Sequence, residues 1–319
     1  MLKRFSVTSL LAAALVLASS PAQAQFLGHN FHGDFGLQSG SQPPPGFNLS
    51  IMYLRYSADI LRDKNGTEIR PDVPGSVNTN GIAAGIYYVT EKKLFGANYG
   101  VMAFPAFTDN KLEVPILSVD QEQDLGLTDL YIQPLNLGWH TERADFIAGF
   151  GLYAPTGRYD VAADDNRGLG MWSFEFLGGT TLYFDEAKSW HFAATAFYET
   201  HTKKKDTDIK VGDLLTLEGG LGKSFLEGAL NVGVAYYAQW KVTADDVGRD
   251  LEMLLEGRKL GKNRVYGIGP EATVPIATKS KLIALINARY FWEFGARTTL
   301  EGYTFLVTAT FPIPSVSLQ

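Results

Sequence analysis

The sequence predicts an all-β chain that closes into a transmembrane antiparallel β-barrel of about twelve strands. Three observations lead there. Apolar and polar residues alternate over stretches of about 10 to 15 residues, a period that belongs to strands. Those stretches exceed the ~5–6 residues usual in soluble sheets and match the ~9–11 that a tilted strand needs to cross a bilayer. The connections between them alternate short and long, a sorting that membrane barrels show and soluble sandwiches have no reason to show.

Composition narrows the alternatives. Only 19% of the residues are charged, against ~25% in ordinary soluble domains. The absence of cysteine excludes disulfide frameworks, thiolate zinc sites and cysteine nucleophiles. A net charge of -6 leaves no basic surface for phosphates, so nucleic acid is not an expected partner. No stretch reaches the ~18 consecutive apolar residues of a membrane helix, so a helical bundle is excluded.

Residues 1–24 read as a signal peptide, with Lys3 and Arg4 before the apolar run 10–18 and Ala22-Gln23-Ala24 as a small-x-small cleavage site. Residues 25–46 are rich in Gly, His and Gln and end in Pro43-Pro44-Pro45-Gly46. With little to bury, they predict a flexible N-terminal lead-in. His29, His32 and Asp34 offer metal donors there, but donors on an unscaffolded tail predict solvation, and no metal site is expected. The barrel is expected over residues 47–319.

Residues 229–243 give the clearest strand. Leu230, Val232, Val234, Tyr236, Ala238, Trp240 and Val242 form one face, and Asn231, Gly233, Ala235, Tyr237, Gln239, Lys241 and Thr243 the other. Residues 281–294 set Leu282, Ala284, Ile286, Tyr290, Trp292 and Phe294 against Asn287, Arg289 and Glu293. Residues 171–184 and 190–201 alternate likewise. Weaker copies fall near 47–61, 78–90, 97–108, 126–140, 144–154, 211–224, 262–278 and 298–312, which brings the count to about twelve.

Short turns are expected at 91–93, 140–143, 185–188, 225–228 and 278–281. Long loops are expected near 62–77, 109–125, 155–170, 202–210, 244–261 and 295–299. Short turns face the periplasm in outer-membrane barrels, so the long loops are predicted to be external. Leu251, Leu254 and Leu255 stand at helical spacing in one loop and predict a short helix. Trp139, Trp172, Trp190, Trp240 and Trp292 lie toward strand ends, as interfacial girdles do.

The chain resembles the outer-membrane barrel family named for the meta-pathway of phenol degradation. The resemblance rests on residues 151–160 (GLYAPTGRYD), Trp172-Ser173-Phe174, Gly222-Lys223-Ser224 after Gly219-Gly220, and Tyr236-Tyr237-Ala238-Gln239. It continues through residues 264–270 (RVYGIGP), Phe294-Gly295-Ala296-Arg297, Pro44-Pro45-Gly46-Phe47 and Tyr56-Ser57-Ala58-Asp59. It implies an outer-membrane location and transport, without naming a solute.

The faces read as inward mix Glu175, Glu199, Glu218, Glu271, Glu293, Arg289, Lys241, Lys223 and His191 with Tyr153, Tyr237, Phe197 and Phe291. Carboxylates and cations there are expected to pair, because unpaired charge in a narrow interior is costly. The candidate solute path is Glu175, Glu199, Glu293, Arg289, Phe291, Tyr237 and Lys241. An interior packed by its own ion pairs stays open beside it.

Catalytic motifs are mostly missing, and a Ser/His pair assembled from different strands stays open as the exception. The His-x-Ser spacing of barrel lipid hydrolases is missing, since Glu142, Ala193 and Lys203 stand two residues after His140, His191 and His201. Gly267-Ile268-Gly269 lacks a third glycine, and residues 63–68 lack the spaced ligands of a calcium loop. No catalytic residue, cofactor or metal is expected, and the chain is not read as an enzyme. The expected function is passive uptake of small hydrophobic, aromatic compounds through an outer-membrane channel. An outer-membrane lipid hydrolase and a purely structural barrel are the alternatives. The expected partners are outer-membrane lipid, lipopolysaccharide and a small hydrophobic solute; the oligomeric state is left open.

Overall fold

A strand that is apolar on one face only needs an apolar surround on one side only, and a closed sheet in lipid meets that need without leaving an edge. The computed structural model describes residues 26–69, 75–114, 119–163, 165–248, 261–279 and 281–313. The expected signal peptide and the helix expected around Leu251 to Leu255 lie outside those residues.

The described strands are β1 (Gly46–Arg62), β2 (Ser76–Leu94), β3 (Ala97–Phe104), β4 (Ala106–Val114), β5 (Val119–Leu127), β6 (Leu130–His140) and β7 (Ala144–Ala154). They continue as β8 (Ser173–Tyr183), β9 (Trp190–His201), β10 (Leu214–Phe225), β11 (Leu230–Lys241), β12 (Arg264–Ala277), β13 (Leu282–Arg297) and β14 (Thr299–Ile313). All lie in one antiparallel sheet, which closes because β1 pairs with both β2 and β14.

Two wall strands are each split in two. Pro105 separates β3, which pairs with the lower half of β2, from β4, which pairs with Ser76 to Ala83. Proline cannot donate to the ladder, so the sheet breaks there. Thr128 and Asp129 separate β5 from β6. Fourteen segments therefore make twelve wall strands, the number the alternation predicted. Among the described residues no helix is long and apolar enough to cross a membrane; the strands make the crossing.

Three connections differ from expectation. The loop expected near 109–125 is a β4–β5 hairpin, paired as far as Val114 with Val119. Its strands carry polar residues on both faces, such as Asp109, Asn110 and Lys111, so no apolar face marks them in sequence. β2 runs through the turn expected at 91–93 and reverses at Phe95-Gly96, whose φ angles of 52° and 78° suit a two-residue hairpin. β13 and β14 are joined by Thr298 alone. Residues 63–68 form a tight turn in which Asp63 Oδ1 accepts the N–H groups of Thr67 and Asn65, both at 2.8 Å. These bonds hold its carboxyl below the usual range.

The outer face is apolar and uncovered: Ile86, Phe146, Phe176, Leu221, Val234 and Ile268 are all exposed. On β11, Val234 is 50% exposed and its neighbour Ala235 is 0% exposed, as the alternation predicted. Trp139, Trp172, Trp190 and Trp240 sit near strand ends, while Trp292 lies deeper in β13.

One facing is corrected. Lys223 shares the outer face of Leu221 and Phe225, with its Nζ 4.7 Å from the Trp190 ring centre and 5.0 Å from that of Phe225. A long stem lets its ammonium reach the interface from an outward position.

Candidate functional site

Residues 26–45 belong to no strand, yet they run through the inside of the barrel. This overturns the expectation of a solvated lead-in. The segment descends from the long-loop end, where Lys241 Nζ donates to Phe26 O at 2.8 Å. It ends at the short-turn end, where Gln42 Nε2 donates to Asn136 Oδ1 at 2.8 Å and to Asn98 O at 3.2 Å.

An extended segment away from its own sheet carries unpaired N–H groups, and burying those without acceptors is costly. Wall carboxylates supply the acceptors. Glu199 accepts the N–H of His29 at 2.7 Å and that of Asn30 at 2.9 Å. Glu218 accepts the N–H of Gly33 at 2.8 Å and of Phe35 at 3.1 Å. Glu271 accepts the N–H of Leu37 at 3.1 Å, and Glu175 accepts Asn30 Nδ2 at 2.6 Å. Lower down, Ser41 Oγ donates to Asp145 at 2.8 Å.

The glycines make this approach possible. A Cβ on Gly36 would overlap the Glu271 carboxylate, and one on Gly40 would overlap the Thr180 backbone. Gly33 has φ of +93°, and a Cβ there would lie 2.9 Å from Phe291 Cε2.

All seven residues expected on the solute path face the interior, and most touch the segment. Glu175 also accepts Tyr131 OH at 3.0 Å. Arg289 donates to Asp34 O at 2.5 Å and Gly33 O at 3.2 Å, with Glu271 at 3.7 Å. Phe291 packs edge-on to Tyr237 at 5.0 Å, and Tyr237 lies 4.4 Å from the His32 ring. Glu293 is held by Tyr237 OH at 2.8 Å, Tyr56 OH at 3.2 Å and Gly302 N–H at 2.8 Å. Lys241 pairs with Asp245 at 2.7 Å.

Of the inward residues named in the sequence, Arg289 pairs with a wall carboxylate, Glu271, while Lys241 pairs with Asp245 in the connection after β11. Glu175, Glu199 and Glu218 are satisfied by amides and hydroxyls instead. Apolar contacts alternate with these polar ones: His29 stacks on Tyr153 at 4.8 Å, and Phe35 meets Phe197 at 5.1 Å.

Several residues of the site escaped the sequence reading. His29 Nε2 lies 2.7 Å from Asp129 Oδ2, and its Nδ1 lies 2.6 Å from Ser173 Oγ, which also meets His201 Nδ1 at 2.7 Å. Carboxylate, imidazole and hydroxyl in line suggest hydrolysis, but Ser173 is 0% exposed and walled in by the segment. The recurring glycines at 28, 33, 36 and 40 were the one available signal of close packing.

At the long-loop end, Lys204 is buried and donates to Leu169 O at 2.8 Å, tying the 202–213 connection to the 155–172 connection. Burial pushes its ammonium down to about 8.

Over residues 58–309 the chain matches the family described as "Putative MetA-pathway of phenol degradation". No curated protein matches it. Among solved structures, an outer membrane channel from Pseudomonas putida F1 aligns with a TM-score of 0.71 at 11% identity, covering 89% of this chain and 100% of that one. The β-domain of the Bordetella autotransporter BrkA aligns at 0.48 with 11% identity, covering 85% and 100%. The CymD monoaromatic hydrocarbon channel aligns at 0.43 with 8% identity, covering 86% and 90%. The first of these likenesses makes the fold that of an outer-membrane β-barrel.

Proposed function

Because this chain belongs to the family of the MetA-pathway of phenol degradation, we propose that it is an outer-membrane channel for passive uptake of small hydrophobic, aromatic compounds. The observation that carries the reading is the threaded segment. A purely structural barrel fills its interior with wall side chains that pack on one another. Here the wall side chains reach instead for a separate stretch of chain, tethered to the wall at Gly46 and held by hydrogen bonds and side-chain packing with no strand pairing of its own. Such a filling can shift or leave while the wall stays whole.

The path would run between the segment and the wall, past Tyr153, Phe197, Tyr237 and Phe291, which offer apolar steps. Glu175, Glu199, Glu293, Arg289 and Lys241 would set how firmly the segment sits. The name of the Pseudomonas putida F1 relative, an outer membrane channel, agrees with this reading. We read the chain as a channel and not as an enzyme. The long loops would face outward, where Arg62, Arg264 and Arg297 line a rim cleft suited to lipopolysaccharide phosphates.

The test is flux. Liposomes holding the protein, and liposomes holding a variant that lacks residues 26–42, are loaded with a fluorescence-quenched reporter and exposed to a small aromatic solute. Entry faster than through protein-free liposomes, and faster still in the variant, supports the channel. Equal rates in all three would leave the structural barrel as the better account, and ester hydrolysis in the same preparation would favour the hydrolase.

A further inference from the structure

Near the long-loop end of the lumen, three potential ligand atoms converge from two parts of the chain. They are His29 Nδ1 on the threaded segment and His201 Nδ1 and Glu199 Oε1 on β9, all within 4.8 Å of one another. His201 Nδ1 lies 3.4 Å from Glu199 Oε1, and His29 Nδ1 lies 3.7 Å from it. An ion held tetrahedrally at ~2.0–2.1 Å by nitrogen and oxygen spaces its ligands about 3.3 Å apart. The two imidazole–carboxylate separations are near that value already, while the two imidazole nitrogens stand on either side of Ser173 Oγ and need to close up on the ion.

The surroundings prepare them for that role. Asp129 Oδ2 lies 2.7 Å from His29 Nε2, and Asp129 is itself fixed by the N–H groups of Gly157 at 2.9 Å and Leu169 at 2.7 Å. A carboxylate there favours the proton on Nε2, which leaves the Nδ1 lone pair facing Ser173 Oγ, beside Glu199. A carboxylate behind a ligating imidazole recurs at zinc sites and strengthens the ligand. Two carboxylates, Glu199 and Asp129, also balance the charge of one divalent ion. Ser173 Oγ sits between the imidazoles, 2.6 Å and 2.7 Å from their Nδ1 atoms, close to where an ion would rest.

We propose that His29, Glu199 and His201 bind one divalent transition-metal ion, zinc by the chemistry of its donors, and that the ion clamps the threaded segment to β9. Two imidazoles and a carboxylate suit zinc and reject magnesium and calcium, which take oxygen ligands. Ser173 turns its hydroxyl aside to admit the ion. Because His29 alone lies on the segment, binding joins two parts of the chain that are otherwise held by hydrogen bonds and packing.

The experiment uses the full chain in detergent, stripped with a chelator, with heat-modifiable gel mobility as the check on folding. Zinc alone is titrated by calorimetry, and bound metal is counted by mass spectrometry. One zinc per chain, unaffected by excess magnesium or calcium, is expected. His201→Ala and His29→Ala should weaken binding by at least ~100-fold, and Asp129→Asn by ~10–100-fold. Ser173→Ala keeps the three ligands and clears the centre, so it should bind at least as tightly as the parent. His29 lies outside the wall, so its variant reports even if His201→Ala fails to fold. Cobalt in place of zinc should give the intense visible bands of a tetrahedral site. Zinc should also slow hydrogen exchange across residues 28–37 in the parent and not in His29→Ala.

Three outcomes would overturn the proposal: no stoichiometric zinc on the folded parent, unchanged affinity in His29→Ala, or binding without slower exchange.

Discussion

Glu218 receives Gly33 on one carboxylate oxygen, N–H to Oε1 at 2.8 Å, while its other oxygen takes the N–H of Phe35 at 3.1 Å. One side chain of β10 thus replaces two rungs of a ladder that the segment does not have. Glu218→Ala strands both amides, at about 1–3 kcal/mol for each buried donor left unpaired. Hydrogen exchange at Gly33 and Phe35 should then quicken by about tenfold or more, with barrel mobility on gels unchanged. Parental exchange rates in the variant would mean that Glu218 does not hold the segment.

The fit of the segment depends on glycine where the wall is backbone. Gly40→Ala places a methyl against the Thr180 main chain, which cannot step aside, whereas Gly36→Ala meets the end of the flexible Glu271 side chain. Gly40→Ala should therefore release residues 38–43 to protease more readily than Gly36→Ala releases its neighbours. The reverse order would show that the lower part of the segment is loosely held.

Much of the wall could be read from alternation, because lipid on one side and a polar interior on the other impose a period of two. The β4–β5 hairpin could not, since beyond the bilayer neither face has reason to be apolar. The segment was illegible for a different reason. Its partners Glu199, Glu218 and Glu271 lie 170, 185 and 234 residues from their donors, and what they bind is backbone, which leaves no side-chain signature. Glu175 and Arg289 were placed on the right face for the right reason, yet the groups they contact came from a stretch whose glycines suggested freedom. Ser173, Asp129 and His201 gather around His29 because β8, β9 and the break between β5 and β6 bring them to one level.

Facing outward has its own energetic signature. Val234→Arg should lower the yield of folded protein in lipid, since an arginine near the midplane costs roughly 2–4 kcal/mol. Val234→Leu should fold as the parent does. Equal yields for both variants would mean that Val234 does not meet lipid.

Lys204 makes the stability of the long-loop end depend on pH. Its amine, at about 8, binds a proton less tightly than the 10.5 of an ordinary lysine. Between those values the unfolded chain holds more protons than the folded one, so stability rises with pH there, and below about pH 8 the buried charge weighs against the fold. The thermal midpoint of the parent should gain on that of Lys204→Met as pH climbs from 8 to 10. Parallel curves would show that the amine is not buried in solution.

The pairing of β1 with β14, from Phe47 with Ile313 to Arg62 with Thr299, fixes an order of events. The first strand of the wall waits for the last, so the seam stays open until nearly the whole chain has been delivered. Residues 26–45 are made before any of the glutamates that hold them, and contacts so distant in sequence form late because loop closure is entropically costly. A wall sealed first would have to draw some twenty residues through a finished mouth. A wall that closes around a segment already resting against β8 to β10 needs no such passage, so filling and closure belong to the same late step of assembly.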